Sequence, residues 1–238
     1  MKPLCILKTG TAIAGVPREW GDFEHWIART AELSDKDWFC CEVSAGAELP
    51  PFEAVSGVVI TGSPAMVTDR QEWSERSAAW LSEAVKREIP TLGICYGHQL
   101  LAHALGGRVD YNPRGREIGT KFIDSTDPAQ DDPLFQILPL RYRAHTTHSQ
   151  SALQVPASAE ILGCNDFDPH HAVRFAPYAW GVQYHPEFNT DIMRKYLELR
   201  AAALQQEGLD PVALMEEVEP TPQASALLPR FVELVRER

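Results

Sequence analysis

A chain of 238 residues, 44% hydrophobic and with a formal net charge of −11, can bury a sizeable core as one large α/β domain or two small ones. The acidic balance without a basic stripe argues against nucleic-acid binding, and no run approaches the roughly 18 apolar residues of a membrane span. Cys5, Cys40, Cys41, Cys95 and Cys164 form no C-x-x-C pair and are odd in number, which fits free thiols in a reducing compartment. Lys8 breaks the N-terminal apolar run too early for a signal peptide, so a cytoplasmic protein is expected.

In chain order, "LCILKTG" reads as a strand and "REWGDFEHWIARTAEL" as a helix. "WFCCEVS" is a second strand, "AVSGVVITGSP" a third ending in a turn, and "WSERSAAWLSEAVKREI" a helix. "PTLGIC" is a buried strand running directly into the helix "YGHQLLAHALGG", which Gly106 and Gly107 stop. This alternation implies a parallel sheet covered on both faces. From about 108 to 188 the texture changes, with "GRVDYN", "REIGTKFI", "RYRAHTTH", "AEILGCN", "HAVRFA" and "YAWGVQYHPEF" as strands that add antiparallel pairing. "TDIMRKYLELRAAALQQEG" is an amphipathic helix with Ile192, Tyr196, Leu199 and Ala203 expected on its buried face. The expected division is a domain over 1–207 and a helical extension over 208–238, whose Leu228, Phe231, Val232 and Val235 dock on the domain or on a partner subunit.

Two stretches carry chemistry. Gly93-x-Cys95-x-Gly97, between a strand and a helix, has the layout of a nucleophile elbow, in which a tight reversal holds the nucleophile out at the sheet edge. The following helix points its N-terminus at the sulfur and favours the thiolate. The plainer reading is a buried cysteine in a Gly-rich turn. In "GVQYHPEF", His185 and Glu187 stand two residues apart, so an extended segment turns both to one side, and the carboxylate can orient the imidazole. The plainer reading there is a surface turn.

Together, "GICYGHQLLAHALGG" and "WGVQYHPEF" resemble the class I glutamine amidotransferases, over roughly residues 55–190. The resemblance implies a flavodoxin-like α/β fold: a central, mostly parallel sheet with helices on both faces and antiparallel strands in the second half. It also implies a Cys95–His185–Glu187 triad that hydrolyses the γ-carboxamide of L-glutamine through a thioester, without metal or cofactor. "VVITGSPAMV" matches the family's Gly-Gly-Pro loop, so the oxyanion donors would come from the Gly62-Ser63 loop and the Tyr96 amide, with a Ser63 Cβ newly near the substrate. Gln99 sits where family members contact substrate. Thr147 and His148 loosely match the glutamine-binding Ser-His-Gly-Asp segment, from which Ser149 and Gln150 depart. "RGREIG" resembles the segment whose Glu117 serves as packing and pocket wall.

Amidotransferases deliver ammonia to a synthetase domain or subunit, and this chain has no S-G-G-x-D-S loop or P-loop. That leaves a separate synthetase subunit as partner, with a homodimer as a further arrangement. Relatives of this length include γ-glutamyl peptidases, so a γ-glutamyl small molecule is the alternative substrate. A non-catalytic regulatory or interaction protein is the third reading. His170 and His171, beside Asp166 and Asp168, look like a solvated loop rather than a metal site. At least one of Cys40 and Cys41 is expected to be core, and His98 and His103 packing or pocket rim. Trp20, Trp26, Trp73 and Trp80 read as core and helix-face residues.

Overall fold

The computed structural model describes residues 2–238. Its strands are β1 (Leu4–Lys8), β2 (Trp38–Glu42), β3 (Val58–Ile60), β4 (Thr91–Ile94), β5 (Arg108–Tyr111), β6 (Glu117–Ser125), β7 (Arg141–His148), β8 (Gln150–Gln154), β9 (Glu160–Cys164), β10 (Ala172–Ala176) and β11 (Ala179–Val182). The helices are α1 (Phe23–Thr30), α2 (Glu72–Lys86), α3 (Tyr96–Ala104), α4 (Thr190–Gln206), α5 (Pro211–Glu216), α6 (Pro222–Ser225) and α7 (Leu227–Arg236). Nine strands form one sheet in the order β2-β1-β3-β4-β11-β10-β9-β6-β7, and β5 pairs with β8 in a separate ribbon. The pairings of β1 with β2 and β3, and of β4 with β3 and β11, are parallel. From β11 outward every pairing is antiparallel. The sheet is thus a flavodoxin-like parallel half extended by an antiparallel half.

Every residue of β1, β3, β4 and β11 is buried, as helix-covered parallel strands require. One apolar cluster, containing Ile6, Ile27, Val59 and Trp180, takes in Leu228, Phe231, Val232 and Val235 of α7. The second, with Leu7, Ile60, Leu81 and Leu101, lies under α2 and α3. The C-terminal apolar residues therefore cover this chain's own sheet.

Three local expectations change. The predicted first helix begins only at Phe23, because Gly21 interrupts it and Asp22 caps the new start, its carboxylate accepting from the Phe23 amide at 2.8 Å. "YAWGVQYHPEF" is a strand only to Val182, which leaves His185 on an irregular segment beyond the sheet edge. The buried face of α4 carries Ile192, Met193, Tyr196, Leu197 and Leu204, whereas Leu199 and Ala203 are exposed. The helix is rolled by about one position from the expected stripe, which carries Arg200 toward the protein.

The loop around His170 and His171 also departs from expectation. Asp168 and His171 are buried, not solvated. Asn165 Oδ1 accepts from the Phe167 and Asp168 amides at 2.9 and 2.8 Å, and Asp168 Oδ1 from the His170 amide at 2.8 Å. With its own polar backbone satisfied, the loop folds inward. His171 Nε2 and His148 Nε2 lie 2.9 and 3.0 Å from Glu117 Oε2, tying β6, the end of β7 and the start of β10 together. Burial would raise the Glu117 carboxyl, but the hydrogen bonds and charges of the two histidines hold it well below the usual range. For His148 burial would lower the pKa, and Glu117 raises it.

Glu117→Ala removes the anion and strands two buried imidazoles, so it should cost about 3–5 kcal/mol in denaturant unfolding. Because the Glu117 pKa is depressed by folding, its stabilisation is present above the ordinary carboxylate range and disappears as pH falls. The gap between wild type and variant should therefore close progressively below about pH 4. It should also narrow as pH rises through the elevated pKa of His148.

Candidate functional site

Strands β3, β4 and β11 are parallel neighbours, so their C-terminal ends converge at one edge of the sheet. Beyond them follow the Gly62-Ser63 loop, Cys95 and the His185–Glu187 segment, the position at which open α/β sheets bind ligands. Residues far apart in sequence become neighbours by strand order alone.

Cys95 is the residue between β4 and α3, with φ 50° and ψ −101°. A non-glycine residue at positive φ costs about 1–3 kcal/mol and persists only where its surroundings hold it. Here the Cys95 amide donates to the Val182 carbonyl at 2.8 Å, locking the elbow to β11. A Cβ on Gly93 would stand 2.5 Å from the main-chain carbon and oxygen of Gly97, and one on Gly97 would stand 2.6 Å from the Ile60 carbonyl oxygen. Both glycines are thus demanded by backbone contact, at the turn and where α3 crosses β3.

His185 Nδ1 lies 2.7 Å from Glu187 Oε1, and both residues are buried. The His185 amide donates to the His145 carbonyl at 2.8 Å. Its ring stacks on Phe188, centroids 4.1 Å apart, with Phe23 on a near-parallel plane at 6.2 Å. The imidazole is therefore fixed in plane by Glu187 and on one face by Phe188. Among the described residues Nε2 is buried and has no hydrogen-bond partner. Cys95 lines the same small pocket; burial would raise its thiol, but the charge of His185, helped by that of His148, lowers its pKa. Burial would likewise lower the His185 pKa, yet Glu187 and Cys95 raise it to about 10. Both shifts favour the thiolate–imidazolium form over the neutral pair.

Opposite the sulfur, a Cβ on Gly62 would fall 2.9 Å from His185 Cε1, so glycine at 62 is what lets the imidazole approach this loop. Thr9 Oγ1 donates to the Thr61 or Gly62 carbonyl, at 3.0 and 3.1 Å. Ser63 Oγ donates to the Thr9 carbonyl at 2.8 Å and accepts from the Ala65 amide at 3.1 Å. The Ser63 hydroxyl is thereby turned back onto the β1 loop, while the residue still lines the space beside Cys95, where its Cβ was expected. Tyr96 opens α3, so its amide has no intrahelical acceptor, while its hydroxyl is buried 2.6 Å from Ser74 Oγ.

A cleft of about 110 Å³ opens beside Cys95, between the 63–66 loop, the β7–β8 turn, Arg116 and Arg200. Thr147 reaches it through its carbonyl, 3.9 Å from the Cys95 sulfur. Gln99 also borders it, but its amide nitrogen donates inward to the Gln150 carbonyl at 2.6 Å and to Gln183 Oε1 at 3.0 Å. His148 likewise turns both ring nitrogens away, to the Gln150 carbonyl and to Glu117. The Gln99 amide nitrogen and both His148 ring nitrogens are thus engaged in the wall. Glu117, His148 and His171 bring three donor atoms within 4.8 Å of one another, a set that suits a small metal ion. His148 Nε2 already hydrogen-bonds Glu117 Oε2 at 3.0 Å, and His171 Nε2 lies 2.9 Å from the same oxygen.

Of the remaining residues, Cys41 is buried and Cys40 exposed. Trp26 is buried, and Trp20, Trp73 and Trp80 are half-buried. His98 packs beneath Gly181 and Phe175, and His103 pairs with Glu75 on the surface. The sequence reading missed Arg116 and Arg200. The available signal was an arginine in phase with Met193 and Tyr196 on α4.

Residues 27–201 match the family described as glutamine amidotransferase class-I. The GMP synthase [glutamine-hydrolyzing] of Thermosipho melanesiensis is 32% identical over 164 residues, which are 64% of this chain and 30% of that protein. Gamma-glutamyl peptidase 5 of Arabidopsis thaliana is 25% identical over 213 residues, 86% of this chain and 84% of its own length. A solved glutamine amidotransferase from Thermotoga maritima superposes with a TM-score of 0.79 at 24% identity, covering 100% of both chains. The chain spans about a third of the GMP synthases it matches. Among the described residues no helix is long and apolar enough to cross a membrane. With the family pattern running through most of the sequence, from α1 to the end of α4, the chain belongs to the class-I glutamine amidotransferase family.

Proposed function

We propose that this protein hydrolyses a γ-glutamyl amide through a thioester on Cys95. The observation that carries the reading is the buried imidazole of His185, held by Glu187 at 2.7 Å on one nitrogen and left open to Cys95 on the other. The Cys95 thiolate attacks the γ-carbonyl carbon, forming the C–S bond, and the amides of Ser63 and Tyr96 receive the oxyanion. The His185 imidazolium gives its proton to the leaving nitrogen as the C–N bond breaks. The neutral imidazole then takes a proton from water, whose oxygen attacks the thioester. The C–S bond breaks, glutamate leaves, and the thiolate–imidazolium pair returns. Glu187 keeps the imidazole in one orientation and stabilises its charge.

The leaving group separates two readings. L-Glutamine would release ammonia for a separate synthetase subunit, a reading prompted by the GMP synthase [glutamine-hydrolyzing] relatives, of whose length this chain spans about a third. A γ-glutamyl peptide would release an amino acid or peptide, a reading favoured by the peptidase relative that this chain matches over 84% of its length. The free cysteines fit action in a reducing compartment such as the cytoplasm.

Two expectations test the reading. Purified protein should release glutamate from L-glutamine or from a panel of γ-glutamyl peptides; Cys95→Ala should abolish the release and His185→Ala should lower kcat by about 10²–10⁴. Ammonia would identify the glutaminase, amino-acid release the peptidase, and silence on both would leave a binding protein. Alkylation by iodoacetamide, monitored at Cys95, should stay fast as pH falls from about 8 to 6, where an ordinary thiol slows about tenfold per unit. In His185→Ala that ordinary slope should return, because burial then acts on the thiol without the compensating charge.

A further inference from the structure

Arg200 lies on the inward face of α4, one turn beyond Tyr196, and is half-buried. Its Nε is closed to solvent and has no hydrogen-bond partner. No carboxylate among the described residues lies within ion-pair distance of its guanidinium. Glu207, whose charge acts on Arg200, is taken by Arg116 in a two-point contact of 2.8 and 3.0 Å. An arginine carries five donors and stays charged, so a half-buried and unpaired one is costly unless something supplies acceptors. The cost shows in its proton affinity, which burial and then the charge of Arg116 both lower.

The location suggests the acceptor. Arg200 borders the Cys95 cleft both on its Gln99 side and on its His185 side, and Arg116 borders the former. In a protein of net charge −11, two arginines flanking the sulfur are not part of a general basic surface. The thiolate already has its counter-cation in His185. The charges of Glu207 and Cys95 act on Arg200 only from beyond hydrogen-bond reach, so the cleft keeps one forked donor without an acceptor, in a space that a substrate carboxylate would fill.

We propose that Arg200 is the carboxylate-binding residue of this cleft, orienting the γ-glutamyl substrate by one of its carboxylates while Cys95 meets the γ-carbonyl. The assignment rests on Cys95 being the group that meets substrate there. A γ-glutamyl peptide has two such carboxylates, the α-carboxylate of the glutamyl unit and the terminal carboxylate of the leaving amino acid, whereas glutamine has only the first.

The test compares wild type with Arg200→Gln and Arg200→Lys. Arg200→Gln should raise KM for the recognised substrate about tenfold or more, the loss expected when a charged hydrogen bond is removed, with a smaller change in kcat. Arg200→Lys should recover part of it. Wild type should show the same defect toward the substrate whose carboxylate Arg200 holds when that group is capped as an amide. Glutaminamide against glutamine reports on the α-carboxylate, and γ-glutamyl-glycinamide against γ-glutamyl-glycine reports on the leaving group. A second readout needs no turnover, so it survives failure of the hydrolase reading: the rate of Cys95 alkylation by anionic iodoacetate relative to neutral iodoacetamide. That ratio should fall severalfold in Arg200→Gln and stay closer to wild type in Arg200→Lys. An unchanged ratio, or an equal slowing of both reagents with a shifted pH profile, would overturn the assignment, since the guanidinium would then act only on the thiolate.

Discussion

The proposed chemistry depends on one buried pair, Cys95 and His185. A thiolate inside a protein is unfavourable by itself, and so is an imidazolium; burial disfavours both, while their mutual attraction shifts each toward its charged form and Glu187 braces the cation. Such an arrangement works only if the sulfur and the ring are held in fixed relation. The parallel sheet does this through one hydrogen bond, from the Cys95 amide to the Val182 carbonyl, which couples the end of β4, leading into Cys95, to β11, leading to His185.

Three supports converge on the pair from different elements. The β1 loop, through Thr9, pins Thr61, Gly62 and Ser63, and Gly62 leaves room for the imidazole edge. Phe188, just before α4, closes over one face of the ring, and Phe23 of α1 packs beside both. The Glu117–His148–His171 network fixes the β7–β8 turn that walls the cleft. Each support uses a buried polar or aromatic contact from a separate part of the chain, so the site is an outcome of the whole fold rather than of one motif. The same logic explains why Gln99 and His148 face inward: their polar groups hold the wall in shape.

The sequence makes the skeleton of this site legible because the demanding geometry leaves a mark on residue type. A reversal as tight as that at Cys95 admits only glycine at 93 and 97, and a His-Pro-Glu segment after a buried strand brings His185 and Glu187 to one side. Apolar runs without alternation identify β1, β3 and β4 as covered strands. Other features leave no such mark. Strand β8 went unseen because "QSALQ" is short and polar, and its partner β5 is remote in sequence. The roll of α4 is decided by contacts with α1 and the 188 segment, so an apolar stripe drawn from Leu199 and Ala203 missed the inward Arg200. The buried state of Asp168 and His171 depends on Glu117, some fifty residues earlier, and local composition says only that such a loop is polar.

The central claim is that Cys95 carries the acyl group. It is tested most directly by mixing the protein with a γ-glutamyl amide, quenching in acid during turnover, and sequencing its peptides by mass spectrometry. The account predicts a glutamyl adduct on the peptide that contains Cys95, absent in Cys95→Ala and accumulating when His185→Ala slows the attack of water. Turnover of the substrate with an unmodified Cys95 peptide, or an adduct on another residue, would contradict it.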